Sequence, residues 1–151
     1  MAKKFDIHFQ VLPEAEQRET STLVSFGTTS SLGVKGFQML INQWVKCLLT
    51  PRGSDPTDLA YGTDFTKLVG SNISIADSRD VVAVAVDQCN EQLFSFQDND
   101  PTLTPSERLA SAEIIEFIEY PEEPGFRVRV ELKNQAQERL AVSVPVTTLT
   151  E

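Results

Sequence analysis

The run from Val34 to Gly53 constrains this chain more than any other stretch. Phe37, Leu40, Ile41, Trp44, Val45, Leu48 and Leu49 recur at the i, i+3, i+4, i+7 spacing of one helix face. Thr50-Pro51 must then stop the helix, because proline disfavours the α region for the residue before it. Ser30 or Ser31, in the small-residue linker from Gly27 to Gly33, is placed to cap its start. A helix with a single apolar face needs another apolar surface to lie on.

The remaining sequence offers two such surfaces. The first is a second helix, predicted to open at Asp77 with Asp80 three residues on as a variant capping box. Val82, Ala85, Val86, Cys89, Leu93 and Phe96 fall on one face of it, and Arg79, Asp87 and Glu91 fall away from that face. The second is a sheet. Ala112 to Tyr120 is apolar on both faces, as in a well-covered strand. Phe126, Val128, Val130 and Leu132 alternate with Arg127, Arg129, Glu131 and Lys133, the pattern of a half-buried strand. Leu140, Val142, Val144 and Val146 form a last strand, and Pro145 puts it at a sheet edge because proline cannot donate to a ladder. Links as short as Pro121 to Gly125 and Asn134 to Arg139 make this an antiparallel meander.

Between the helices, Pro51 to Gly62 is dense in breakers. A short helix follows, with Thr63 as its cap and Gly70 as its end. Asp98 to Pro105 reads as a loop. At the start of the chain, Phe5, Ile7, Phe9 and Val11 alternate with Asp6, His8 and Gln10, and a return strand over Thr20 to Phe26 would make a hairpin arm. The expected fold is α+β: two long amphipathic helices packed on an antiparallel β-meander, with an N-terminal β-arm. Residues 1–32 would be arm and linker, and residues 33–151 the α+β domain.

Charge narrows the function. With 22 acidic and 13 basic residues the formal charge is −9, which opposes general nucleic-acid binding because that requires cations to displace phosphate counterions. No run approaches the ~20 apolar residues of a membrane span, and Met1 to Asp6 lacks the apolar run of a secretory signal. Cys47 and Cys89 fall in the apolar stretches of the two helices and read as buried reduced thiols.

Chemistry is hard to find. His8 is the sole histidine, too little with two core cysteines for a metal site, and no nucleophile, P-loop or dinucleotide motif occurs. No catalytic residue, metal or cofactor is expected. The acids that a glycosidase pair would draw on, Glu14, Glu16 and Glu19 or Asp55, Asp58 and Asp64, fall in loops and read as solvated surface. Phe37 and Trp44 read as core, not as an aromatic binding box. Arg127 and Arg129 share one strand face, which is either solvated or a contact to an acidic partner.

The order of these features resembles a known family. A helix ending Leu49-Thr50-Pro51-Arg52-Gly53, the later Gly62-Thr63, a second helix, Ser106-Glu107-Arg108-Leu109 and three strands resemble the baseplate-wedge, sheath-initiator proteins of contractile phage tails and their relatives in type VI secretion baseplates. The likeness runs from about Gly33 to Leu149. Members typically carry Glu-Pro-Arg before the first strand; here Arg108 matches the arginine, while Glu107 stands at the proline and Ser106 at the glutamate.

The resemblance implies a structural protein in the virion, at the tail baseplate, assembled in the host cytoplasm. Its partners would be the larger wedge proteins and the tail sheath protein, with six copies around the tail tube and neither nucleic acid nor membrane. Ser106, Glu107, Arg108 and Leu109 would then meet the wedge, with Arg108 as the anchor. Phe5, Ile7, Phe9 and Val11 and the edge residues Leu140, Val142, Val144 and Val146 would meet the sheath. The family also carries a lysozyme-like label, so a tail-associated cell-wall glycosidase is one alternative. A small acidic binding module is another.

Overall fold

The computed structural model describes residues 35–149 and, as backbone, residues 8–10 and 23–25. In chain order the elements are β1 (His8–Gln10), β2 (Leu23–Ser25), α1 (Phe37–Leu49), a 3₁₀ turn (Phe65–Leu68), α2 (Ile75–Asp98) and a second 3₁₀ turn (Pro105–Glu107). They end with β3 (Leu109–Glu119), β4 (Gly125–Asn134) and β5 (Arg139–Thr147). The two helices and the three-stranded antiparallel sheet, ordered β3-β4-β5, make the fold α+β. Strands β1 and β2 pair antiparallel, with Phe9 opposite Val24. The expected arm residues Phe5, Ile7 and Val11 lie outside the described residues, as do Ser30 and Ser31.

One face of the sheet meets both helices. Phe126, Val128, Val130, Leu132 and Asn134 alternate inward along β4, and the intervening residues face out, as the period of two requires. The inward side chains join Leu40, Ile41, Trp44, Val45 and Leu48 of α1 and Val82, Ala85, Val86, Cys89 and Leu93 of α2 in one core. A relay of amides ties the layers together. Trp44 donates its indole N–H to Asn90 Oδ1 at 3.0 Å, and Asn90 Nδ2 donates to the Ala112 carbonyl of β3 at 3.0 Å.

Several boundaries differ from expectation. The residue capping α1 is Gly36, at φ 68°, and its N–H is taken by Glu107 Oε1 from 71 residues away. Helix α2 starts two residues before Asp77, because Ser74 is its cap: Ser74 Oγ accepts from Asp77 N and donates to Asp77 Oδ2. Asp77 therefore fills the acidic position of the box that it was expected to open. Helix α2 also runs through the start of the expected 98–105 loop, to Asp98.

Some faces differ too. Leu49 and Phe96, both expected in apolar stripes, are exposed; the buried place on the last turn of α2 goes to Gln97. Arg79, expected to lie free of the apolar face, stacks on Phe117 with its guanidinium carbon 4.8 Å from the ring centre. In β3, register irregularities fall between Leu109 and Ser111 and between Ile114 and Glu116. The second turns Ile115 out to solvent, so the apolar-on-both-faces pattern reflects a bulge and not cover on both sides.

Candidate functional site

The residues of the sequence motif come together through their backbones. Thr50 has the extended conformation that Pro51 demands, and its hydroxyl returns to the Lys46 carbonyl of the last turn. Pro51 and Thr63 then form a parallel bridge, in which Thr63 N donates to Thr50 O at 2.9 Å and Arg52 N donates to Thr63 O at 3.1 Å. Thr63 is fully buried. Its hydroxyl donates to the Leu48 carbonyl at the end of α1 and accepts from Phe65 N at the start of the 3₁₀ turn. One side chain thus links the end of one helix to the start of the next turn, but the cap of that turn is Asp64 and not Thr63 as expected; Thr63 stands one residue earlier.

Gly62 is fixed by space as well as by conformation. It sits at φ +100°, and a Cβ there would run into Thr50 O and lie 3.1 Å from Pro51 C. Both of its backbone polar groups are held by one side chain of α2: Gly62 N donates to Gln92 Oε1 and Gln92 Nε2 donates to Gly62 O, each at 3.0 Å. Cys47 donates weakly to the same Gln92 oxygen at 3.5 Å. Cys47 and Cys89 are free thiols inside the core. Cys89 is pushed far above the usual thiol range by its hydrogen bond with Cys47 and by burial. Beside them burial drives the half-buried Tyr61 hydroxyl well above the usual phenol range, and its ring lies 6.1 Å from Phe96.

The second expected cluster, residues 106–109, is knotted around the end of α2. Arg108 donates through Nη1 to Gln97 O at 2.9 Å, through Nη2 to Asp100 O at 2.7 Å and through Nε to Leu103 O at 3.4 Å. Its partners are one carbonyl of the last turn of α2, that of Gln97, where a cation also complements the helix dipole, and two carbonyls of the segment that follows the helix, and not the carboxylates of Glu107 or Glu113. Gln97 reads the same segment from below, donating to Glu107 O and accepting from Leu109 N. Leu109 is buried in the core. The Ser106 carbonyl accepts from Asn134 Nδ2.

Glu107 uses both oxygens, one on Gly36 N and one on Thr104 N, each at 3.1 Å. These N–H bonds, Thr104 first and Gly36 second, hold its carboxyl below the usual range. The segment expected to reach a partner is thus engaged with its own chain at every described side chain but Ser106.

The edge residues Leu140, Val142, Val144 and Val146 turn their side chains toward the core; among the described residues β5 has β4 as its strand partner, and its other backbone edge is met at its end, where Gly70 N donates to Thr147 O at 2.9 Å. Pro145 lies opposite Arg127 in that pairing. Among the acids, Asp55 accepts from Thr57 N and Oγ1, Asp58 from Ala60 N, and Asp64 pairs with Lys67 at 2.9 Å. The Thr57 hydrogen bonds and the Lys67 hydrogen bond respectively hold Asp55 and Asp64 below the usual range. Glu14, Glu16 and Glu19 lie outside the described residues. Among the described residues no three His, Cys, Asp or Glu side chains gather as metal ligands, and no helix is long and apolar enough to cross a membrane.

The amides Asn90, Gln92, Gln97 and Asn134 organise these clusters, and sequence reasoning passed over all four. Two left a signal. Gln97 follows Leu93 by four residues on the buried face of α2, and Asn134 is the last inward position of the β4 alternation.

No family model matches the chain, and no curated protein matches it. Among solved structures it is similar to a protein from Geobacter sulfurreducens titled a "putative tail lysozyme", at 14% identity and a TM-score of 0.43, over 74% of this chain and 89% of that one.

Proposed function

We propose that this chain is a structural protein of a contractile-tail baseplate, a wedge component that joins the wedge to the sheath and starts sheath assembly. One observation carries the reading. Residues 49–53 and 62–63, which carry the sequence resemblance, interlock by backbone hydrogen bonds into a single unit anchored on α2. The resemblance therefore covers a three-dimensional device and not a string of letters. The outer edges of β3 and β5, which carry no further strand among the described residues, suit a sheet that pairs with strands of neighbouring subunits. In this reading the wedge meets the surface around Ser106, and Arg108 shapes that surface from within.

In this reading the protein is a structural part and not a catalyst. What supports it is that Asp55 and Asp64, among the acids a glycosidase pair would draw on, are held low, whereas a glycosidase acid needs a raised pKa. Negative-stain images of the assembly that co-purifies with the tagged chain should show tail or baseplate particles. A monodisperse chain with no assembly around it overturns the reading. A peptidoglycan zymogram should stay blank; clearing that vanishes when one Asp or Glu is replaced would establish the glycosidase instead.

A further inference from the structure

At the end of α2 far from Arg108, the sheet and the segment that leads into the helix border an open groove of about 460 Å³. Backbone hydrogen bonds tie its walls. Gly70 N donates to Thr147 O at 2.9 Å and Leu149 N to Ser71 O at 3.1 Å, so the segment before α2 runs beside the end of β5. Across from it, Tyr120 N donates to Gly125 O at 3.1 Å and Thr148 N to Pro124 O at 3.4 Å, which holds the β3–β4 turn in place. Ile73 and Leu149 stand exposed in this groove, and Ile75, Tyr120 and Pro124 line it half-buried. Its charged lining is of one sign, Glu119 and Glu123, both exposed. Neither carboxylate has an ion pair or a side-chain hydrogen bond among the described residues. Glu119 lies opposite Phe126, an inward residue of β4, so it belongs to the helix side of the sheet, whereas Arg127 and Arg129 belong to the other side. Arg79 of α2 is engaged on the Phe117 ring. Asp77, in the first turn of α2, offsets the positive end of that helix.

We infer that this groove docks a short basic segment of a protein partner, one that sets an arginine or lysine beside an apolar side chain. The volume lies at the low end of the roughly 300–1,000 Å³ of ligand pockets, so it suits one or two side chains and not a whole helix face. Two carboxylates that line one groove without a counter-charge attract a cation, and a guanidinium bonds to them with charge-assisted hydrogen bonds. The Tyr120 ring offers the same cation an aromatic face. The apolar neighbour would cover Ile73 and Leu149, which water now meets. The same acids turn away a nucleic acid or an anionic lipid surface, and a free polyamine would meet the acids but leave the apolar lining bare. The inference does not rest on the assembly reading: the 24-residue α2, ~36 Å long, separates the groove from the surface around Ser106.

The test is an NMR titration of the isotope-labelled full chain with a capped pentapeptide of alternating leucine and arginine, at about 0.15 M salt, where charges more than roughly 8 Å apart are screened. Backbone amides of residues 72–75, 119–125 and 148–149 should shift saturably. Glu119→Gln and Glu123→Gln should each weaken binding about threefold, the scale of one exposed ion pair, and the double variant about tenfold, since separate contacts multiply. Leu149→Ser should also weaken it, whereas Glu91→Gln, which removes an exposed acid elsewhere on α2, should bind like wild type. Spermine, and a pentapeptide with serine in place of leucine, should bind wild type more weakly than the leucine peptide does; these two comparisons use the unmodified chain and decide the matter if a variant lowers Tm. Absence of saturable shifts, shifts spread over the whole acidic surface, an equal loss in Glu91→Gln, or equal affinity for spermine or the serine peptide would each overturn the inference. Groove amides that shift on dilution of the chain without peptide would assign the groove to a second copy and overturn it as well.

Discussion

Replacing Gly62 by alanine should cost this protein far more than the same change at Gly70, although both residues have positive φ. At Gly70, φ is +69° and a Cβ would meet nothing within 4 Å, so the penalty is left-handed backbone strain alone, about 1 kcal/mol. At Gly62 that strain is joined by a collision with Thr50 O and Pro51 C, both backbone atoms that cannot rotate away. To make room, the bridge must open. That sacrifices the Thr63 N–H to Thr50 O bond and misaligns the two Gln92 bonds on Gly62, each worth about 1 kcal/mol. The total is about 3–5 kcal/mol, in the range that identifies a specific structural mechanism. Urea unfolding followed by fluorescence of Trp44, the only tryptophan and fully buried, measures it directly. The midpoint should fall steeply in Gly62→Ala at unchanged m. A loss within about 1 kcal/mol of that in Gly70→Ala would refute the steric argument and with it the view of residues 49–63 as one interlocked unit.

Three further changes probe the other junctions. Arg108→Ala should lower stability by about 2–3 kcal/mol, because the carbonyls of Gln97 in the last turn of α2 and of Asp100 just past it lose a charged donor; a variant that unfolds at the wild-type midpoint but loses its partners would restore Arg108 to a role at the partner surface. Asn90→Ala should cost about 2–4 kcal/mol by stranding the Trp44 indole N–H and the Ala112 carbonyl, and an unchanged urea midpoint would refute the relay. Glu107, held low by Thr104 N and Gly36 N, contributes stability that is present above its unfolded pKa near 4.5 and is lost as pH falls through its lower folded value. Tm should therefore drop on acidification below about pH 4.5 more in wild type than in Glu107→Gln, and parallel curves would show that the cap is not charge-assisted.

The legible parts of the fold were those written by one dominant force. The alternation from Phe126 to Lys133 gives β4 its inward and outward faces, and Thr50-Pro51 gives the end of α1, because burial period and backbone sterics each act locally. Helix starts were less legible, since caps can come from afar. Nothing near Gly36 announces that Glu107, 71 residues on, will take its N–H. Ser74 competed with Asp77 as the first residue of α2, and a serine hydroxyl that accepts from the backbone while donating to the aspartate satisfies more groups than an aspartate alone. Ile115 misled because a bulge reverses the side-chain period, and period is all that a strand pattern conveys.

The two clusters differ in legibility for the same reason. Both are places where an irregular segment must find partners for its backbone, and in both α2 supplies them through a glutamine: Gln92 for Gly62, Gln97 for residues 107 and 109. The two glutamines are five residues apart on one helix and engage opposite flanks of it, the 49–63 loop on one side and the start of β3 on the other. An amide can serve donor and acceptor at once, which a buried carboxylate or lysine cannot do without bringing a charge out of water. Helix α2 is therefore the frame to which both motif segments are pinned. A change that shifts one segment along it must strain the other, so variants of Gln92 and Gln97 should couple. A double-mutant cycle of Gln92→Leu and Gln97→Leu should show an interaction energy beyond about 0.5 kcal/mol, the limit within which independent sites add. Additivity within that limit would mean that the two junctions are separate devices that happen to share a helix.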